Sequence, residues 1–341
     1  MRDGGAGGII TLQHLKAAPW KRRRFPVLKA LEVIPVNGPA VCALGLGKSY
    51  NGKIFALHGL SLEVRAGEVF GYLGPNGAGK TTTVRLMTGL LRPSEGSCSV
   101  FGFSPVQKPG EVHRLCGVMT DGVRMYRQMT GMENLIFFGQ IFGMREEDGK
   151  ERAEDLLKRL DLWDVRDQKL SAYSTGMAQR LSLARSLMHR PKVLFLDEPT
   201  SGLDPESVQE VNSLIAGLAR TEGVTVFLCT HQLRYAQDLC RRYGILEKGN
   251  LLACGALGDL ARDAGLHAKA SLRLKDGDAP SGFTRGTDGW WTTDILSEDE
   301  MPKLIRRAME EGCSIYEAEI RKPTLEDVYF QYMALNGGEK P

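Results

Sequence analysis

One octapeptide constrains this chain more than any other feature. Gly74-Pro75-Asn76-Gly77-Ala78-Gly79-Lys80-Thr81 fits the pattern G-x-x-x-x-G-K-[ST] at every fixed position. The apolar run Val69–Leu73 precedes it, and a helical pattern over Thr81–Leu90 follows. A short apolar run of this kind reads as a strand buried on both faces of a parallel sheet. The glycines let the backbone curl until successive N–H groups point inward at one anion. The helix N-terminus adds the positive end of its dipole. Strand, loop and helix therefore predict a phosphate cradle. Lys80 supplies a mobile charge for the β- and γ-phosphates, and Thr81 offers a hydroxyl to Mg²⁺, with Thr82 beside it.

Two further runs, Val193–Leu196 and Val224–Cys229, read as buried strands with helical patterns between them. This alternation predicts an α/β doubly wound domain over about residues 41–256. The run Val193–Leu196 ends in Asp197-Glu198. Ligands of parallel sheets lie beyond the carboxyl ends of the strands. Two acids there are placed to meet phosphate and metal: Asp197 toward Mg²⁺, and Glu198 toward the attacking water.

Composition closes off other classes. No stretch approaches the ~18–20 apolar residues that a membrane-spanning helix needs. The 44 basic and 41 acidic residues give +3. Residues 1–40 hold seven basic and two acidic side chains, a net +5, which leaves −2 for the rest. A near-neutral body gives no reason to expect a nucleic-acid partner. Seven Cys with no CxxC pair read as free thiols rather than a metal site or disulfide framework. Lys21-Arg22-Arg23-Arg24-Phe25 has the look of a twin-arginine signal, but Lys29, Glu32 and Pro35 interrupt any apolar segment after it. Residues 1–40 are expected to be a flexible extension.

Between the two halves of the site lies Tyr173-Ser174-Thr175-Gly176-Met177-Ala178-Gln179-Arg180, and after Glu198 come Ser201-Gly202-Leu203-Asp204 and, past the third strand, His231. This ordered set resembles the ATP-binding subunits of ABC transporters. They carry a P-loop, a signature peptide, a Walker B strand ending in two acids, a D-loop and a switch histidine in this order. The resemblance covers about Val41 to Gly255. It implies an ABC ATPase fold of the P-loop NTPase type, a mostly parallel sheet with a helical subdomain over about 122–176. It also implies ATP with Mg²⁺, and hydrolysis with Glu198, His231 and Lys80 as the catalytic groups. Such domains dimerise head to tail, so Ser174 and the Gly176 N–H would cover ATP held by the partner's P-loop. One P-loop and one signature imply a homodimer, or a heterodimer with a related ATPase. Tyr50, 24 residues before Gly74 and read as lying near a strand start, is the implied adenine-stacking aromatic.

The sequence departs from the family in two places. Thr175 and Met177 replace the usual signature residues, leaving Ser174 and Gly176. In the Q-loop, alignment puts Asp121 where the family has Gln. Asp also binds Mg²⁺ and is one methylene shorter, so Asp121 joins Thr81 and Asp197 as an expected metal ligand.

Residues 257–341 read as a small α+β domain with strands at Ala270–Leu274, Gly289–Thr293 and Ile315–Ile320. Helices are expected over Ser297–Glu311 and Thr324–Leu335. Its Pro323-Thr324-Leu325-Glu326-Asp327-Val328-Tyr329 resembles the ending of drug- and antibiotic-exporter ATPases. The implied function is the ATPase subunit of an ABC-2 type exporter, at the cytoplasmic face of a membrane, working through a separate permease. The alternative is a soluble, non-transport ABC ATPase acting on ribosome or DNA. One branch of that class carries two cassettes and another carries long coiled coils, and this chain has neither. Finally, Thr130 and Glu133 form a capping box ahead of a helix that is apolar on nearly every side, from Asn134 to Met144. One face is expected to pack on the sheet domain, leaving Phe138 and Phe142 as a patch for the permease.

Overall fold

The computed structural model describes residues 38–50, 52, 54–120 and 125–337. The basic run Lys21–Arg24, nearly all of the expected extension over residues 1–40, and Asp121 lie outside the described residues.

The core is a six-stranded sheet. It contains β3 (Val69–Leu73), β5 (Cys116–Met119), β6 (Val193–Asp197), β7 (Thr225–Thr230), β8 (Arg242–Glu247) and β9 (Asn250–Ala256), in the order β5-β6-β7-β3-β8-β9. All neighbours run parallel except β8 and β9. Every residue of β3, β6 and β7 is buried, as expected for strands covered on both faces. β3 and β6 are two strands apart with β7 between them, so the loop after β3 and the acids at the end of β6 open at the same edge.

The sheet is flanked by α1 (Lys80–Met87), α2 (Pro109–Leu115), α6 (Pro205–Glu222) and α7 (Leu233–Leu239). α1 stops before the expected Leu90, because Gly89 adopts a positive φ of 76°. β7 starts one residue later than read, leaving Val224 to hydrogen-bond the end of α6.

The alternation of strands and helices fails at the start. β1 (Val41–Ser49) pairs antiparallel with both β2 (Phe55–Val64) and β4 (Glu95–Val100), making a separate three-stranded sheet. These strands bury only part of their length, β2 with an alternating tail, so they lack the continuous apolar run that flags a two-sided strand. Tyr50 consequently follows the end of β1 rather than lying near a strand start.

A helical layer holds α3 (Gly131–Ile141), α4 (Glu146–Arg159) and α5 (Thr175–Leu187). The Thr130–Glu133 capping box is present, with both reciprocal bonds at 2.8 and 3.1 Å. α3 packs chiefly on α4 and α5, and its Leu135 joins the cluster that also holds Leu194 and Leu196 of the sheet. Its buried face is therefore Gly131, Asn134, Leu135 and Gly139. Phe138 is half-buried with the Arg185 guanidinium 5.3 Å over its ring, so it is not part of an open patch. Phe142 is partly exposed and stacks on His189 at 4.0 Å, while Ile141 is 59% exposed.

After α8 (Leu257–Asp263), a second antiparallel sheet forms from β10 (Ala268–Leu274), β11 (Thr284–Arg285), β12 (Trp291–Ile295) and β13 (Ile315–Arg321), ordered β11-β12-β10-β13. α9 (Met301–Glu310) packs against it around Ala270, Leu272 and Ala308, a core of its own. α10 (Leu325–Leu335) does not join that core. Leu325 and Val328 are fully buried in the main cluster, and the Leu325 N–H donates to Gln237 Oε1 at 2.6 Å.

Candidate nucleotide-binding site

The loop between β3 and α1 is shaped by glycines that tolerate no side chain. A Cβ at Gly74 would lie 2.4 Å from the Leu246 carbonyl oxygen, and one at Gly79, whose φ is 112°, 2.7 Å from that of Ala56. Both contacts are to backbone, which cannot swing away. Gly77 also takes a positive φ, 82°, that other residues adopt at a cost. Gly79 thereby becomes the N-cap of α1 with no side chain in front of the first N–H groups. This is the cradle that a phosphate chain requires.

Lys80 points back into the cradle. Its ammonium donates to the carbonyls of Gly74 at 2.6 Å and Pro75 at 3.2 Å, and it stands 3.8 Å from Glu198 Oε1. It is only 6% exposed, so its charge acts with little water around it. Thr81 Oγ1 donates to Asp197 Oδ2 at 2.6 Å, which joins the first turn of α1 to the end of β6. A hydroxyl and a buried carboxylate form the hard-oxygen pair that suits Mg²⁺.

Glu198 is held at almost every polar atom. Thr230 Oγ1 donates to Oε2 at 2.9 Å, and His231 donates to Oε1 through its backbone N–H at 3.0 Å. His231 Nδ1 lies 2.7 Å from the same oxygen. An ionised carboxylate only accepts, so this imidazole carries its proton on Nδ1 and leaves Nε2 unengaged by Glu198. The Glu198 N–H donates to Cys229 O at 2.9 Å. The residue adopts φ +50°, in the left-handed region that a glutamate occupies only under constraint. Burial pushes the neighbouring Cys229 thiol well above its usual range, with Asp197 adding to it, so it remains a protonated, inert wall.

These groups meet in a cleft of about 210 Å³, walled by Ala56, Pro75, Lys80, Thr82, Asp197 and Glu198 among others. Asn76, Gly77, Gly79 and Thr81 complete the loop side, and Ala78 is buried behind them. Tyr50 is 59% exposed, and its hydroxyl lies 3.3 Å from Thr82 Oγ1. Its ring therefore stands beside the cradle, with the Lys48 ammonium 5.7 Å over it. A larger groove, about 530 Å³, runs between α4 and α6. Three of its charged residues are already paired, Asp161 and Glu210 with Arg180 and Arg159 with Glu222, and no glycine lines it. It is not the site.

The structure does not bring Ser174 and Gly176 into the cleft. Ser174 is the N-cap of α5, accepting from the Met177 N–H at 3.2 Å. Gly176 lies against Leu203, to which an added Cβ would come within 3.3 Å. The 201–204 turn ends at Asp204, the N-cap of α6, whose carboxyl is held below its usual range first by the Ser207 N–H. The sequence reading missed two supports of Glu198. One is Thr230. The other is Gln179, whose Nε2 donates to the carbonyls of Glu198 at 3.3 Å and Pro199 at 3.2 Å. A polar residue at a strand end signalled the first, and nothing local signalled the second.

Comparison with known proteins agrees with this geometry. The family model described as "ABC transporter" matches residues 57–201. The daunorubicin/doxorubicin resistance ATP-binding protein DrrA of Streptomyces peucetius is 41% identical over 242 residues, 71% of this chain and 72% of that protein. The daunorubicin resistance ATP-binding protein DrrA3 of Streptomyces coeruleorubidus is 35% identical over 304 residues, 85% of this chain and 94% of its own. Among solved structures, an ATP-binding subunit of an ABC transporter superposes with a TM-score of 0.62 at 27% identity, covering 67% of this chain and 94% of that one. An ATP-binding cassette solved as a dimer in a post-hydrolysis state, bound to ADP and Pi, gives 0.59 at 25% identity, covering 64% and 98%. Glycine cradle, buried lysine, paired acids and sequence kinship converge: this chain belongs to the ABC transporter family, as one of its ATP-binding, ATP-hydrolysing subunits.

Proposed function

We propose that this exporter ATPase subunit hydrolyses Mg-ATP in the Lys80–Glu198 cleft, and that each cleft is completed by the signature peptide of a second subunit. The observation that carries this reading is Glu198: a carboxylate fixed by Thr230 and His231, 3.8 Å from the buried cradle lysine. A carboxylate so held is oriented as a general base for water. Lys80 would release the Gly74 and Pro75 carbonyls and neutralise the phosphates. His231 would present Nε2 to the γ-phosphate, because Nδ1 is committed to Glu198. Thr81 and Asp197 would hold Mg²⁺, which when bound supplies charge neutralisation across the β- and γ-phosphates. Asp121, the third proposed ligand, lies outside the described residues. Tyr50 would stack on adenine.

Ser174 and Gly176 line no part of their own cleft, and they cap a helix whose N-terminus suits a phosphate. This supports closure in trans by a second copy or a related ATPase, as does the dimeric state named for one structural relative. Among the described residues no helix is long and apolar enough to cross a membrane. In this reading an integral-membrane permease is a separate chain, and the ATPase works at its cytoplasmic face. The resistance names of the relatives support a drug-like cargo. No observation favours the ribosome or DNA reading. The test is turnover of the purified chain: ATP hydrolysis that requires Mg²⁺, and is lost in Lys80→Ala together with nucleotide affinity. Hydrolysis unchanged in Lys80→Ala refutes the reading.

A further inference from the structure

We propose that Gln179 couples the two nucleotide sites, by tying the helix that caps the partner's nucleotide to the backbone of this chain's own Glu198. The proposal rests on the head-to-tail dimer described above. The left-handed conformation of Glu198 is kept by bonds from three directions. β7 accepts its N–H through Cys229 O, and Thr230 and His231 hold its carboxylate. Its carbonyl, with that of Pro199, accepts from the Gln179 amide. An amide nitrogen carries two hydrogens, so one side chain serves both carbonyls.

The first two supports come from the strand beside β6. The third comes from α5, the helix whose first residues are the signature peptide. Ser174 and Gln179 are five positions apart, about 7.5 Å along a helix axis. Such a short helical segment moves as one body. The start of α5 is also in contact with the turn after Glu198: an added Cβ at Gly202 would lie 3.7 Å from Thr175 Cγ2, and Gly176 faces Leu203. A shift of Ser174 and Gly176 on meeting the partner's phosphate is therefore delivered to both ends of the Glu198–Leu203 turn. Gln179 is a positioning residue here, since it does not line the cleft and reaches it only through the backbone of Glu198. Its bonds set the backbone angle from which the Glu198 carboxylate is presented. Binding in one site thus readies the base in the other, a coupling that is reciprocal in binding terms.

The test uses the full chain, with steady-state ATP hydrolysis titrated against ATP, and compares Gln179→Met and Gln179→Glu with the parent. Methionine keeps the length without a donor, and ionised glutamate keeps the shape but cannot donate. Both should lower kcat by about tenfold and reduce the Hill coefficient from above one to one. Binding of a fluorescent ATP analogue to the isolated chain should stay within about twofold, since the cradle is untouched. Gln179→Lys, which restores a donor, should recover part of the cooperativity. Parental kcat and Hill coefficient in both donor-free variants, in a chain that dimerises with Mg-ATP, overturn the coupling alone. A parent that stays monomeric and non-cooperative with Mg-ATP overturns the dimer, and the coupling with it. A variant that loses analogue binding overturns the claim that Gln179 acts through Glu198.

Discussion

Replacing Thr230 with valine removes one hydroxyl and keeps the shape. Thr230 is fully buried, so nothing from solvent can substitute for it. Its Oγ1 donates to Glu198 Oε2 at 2.9 Å and accepts from the Gln232 N–H at 3.0 Å. A hydrogen bond to a charged group is worth about 1.5–3 kcal/mol. If that loss falls wholly on the step in which Glu198 takes a proton, kcat drops about 10- to 150-fold. His231 still holds Oε1 through its N–H and Nδ1, which keeps the carboxylate near its place and favours the lower end. The orphaned Gln232 amide costs about 1 kcal/mol of folding stability. Thr230 is not on the cleft wall, so ATP affinity should not move. The assay is Mg-dependent ATP hydrolysis with full ATP titration, beside thermal unfolding, with Thr230→Ser as the control that keeps the hydroxyl. A valine variant with parental kcat, or one that loses ATP affinity instead of turnover, refutes the role given to the Thr230–Glu198 bond.

Other consequences are open to direct test. Gly74→Ala puts a methyl against the Leu246 carbonyl, so ATP affinity in a fluorescence titration should fall at least about tenfold, and parental affinity contradicts the cradle. His189 is pushed down to about 4 by burial, aided by Arg185 and Arg152 and opposed by its bond to Cys116 O. The folded chain thus keeps it neutral while the unfolded chain protonates it below about 6.5, and stability is lost as pH falls between those values. His189→Gln should flatten denaturant stability between pH 7 and pH 4.5 by about 2 kcal/mol, and an unchanged slope refutes the burial argument. For the permease, Ile141→Asp should abolish co-purification while basal ATPase and the unfolding midpoint hold. Retained co-purification removes the end of α3 from the interface. Phe138 is the wrong probe, because charge beneath Arg185 and beside the helical core would test folding.

The parts of the site carried on one short stretch of chain were legible from the residues. Gly74–Thr82 declares its own loop, and Asp197-Glu198 closes an apolar run whose length and composition mark a buried strand. Tyr50, Ser174 and His231 became legible only through their order along the chain, which is a family resemblance rather than local physics. The N-terminal antiparallel sheet was not legible. β1 is half-buried and its pairings with β2 and β4 carry register shifts, so neither a continuous nor a clean alternating pattern survives. The sequence shows α10 as a helix but cannot show that Leu325 and Val328 return to the main core, because burial of a face does not name its partner. The Gln179 bond to Glu198 is hidden for the same reason: 19 residues separate two groups joined only by folding. Phe138 misled because a helix covered by others can be apolar on most sides without exposing them all, whereas Phe142 is exposed as read.

In the proposed dimer one chain holds the cradle and the base while another closes the cleft. Sedimentation of the Glu198→Gln chain with radiolabelled ATP and Mg²⁺ tests it most directly. Glutamine preserves the size of the side chain, and its one oxygen can meet the His231 N–H donors while its NH2 turns to Thr230 Oγ1 as acceptor, but the base is gone. The expected result is a species of twice the chain mass carrying one intact ATP per chain, reverting to monomer when Mg²⁺ is chelated. A chain that sediments as a monomer with ATP bound, or a dimer that has turned its nucleotide into ADP at the parental rate, contradicts it.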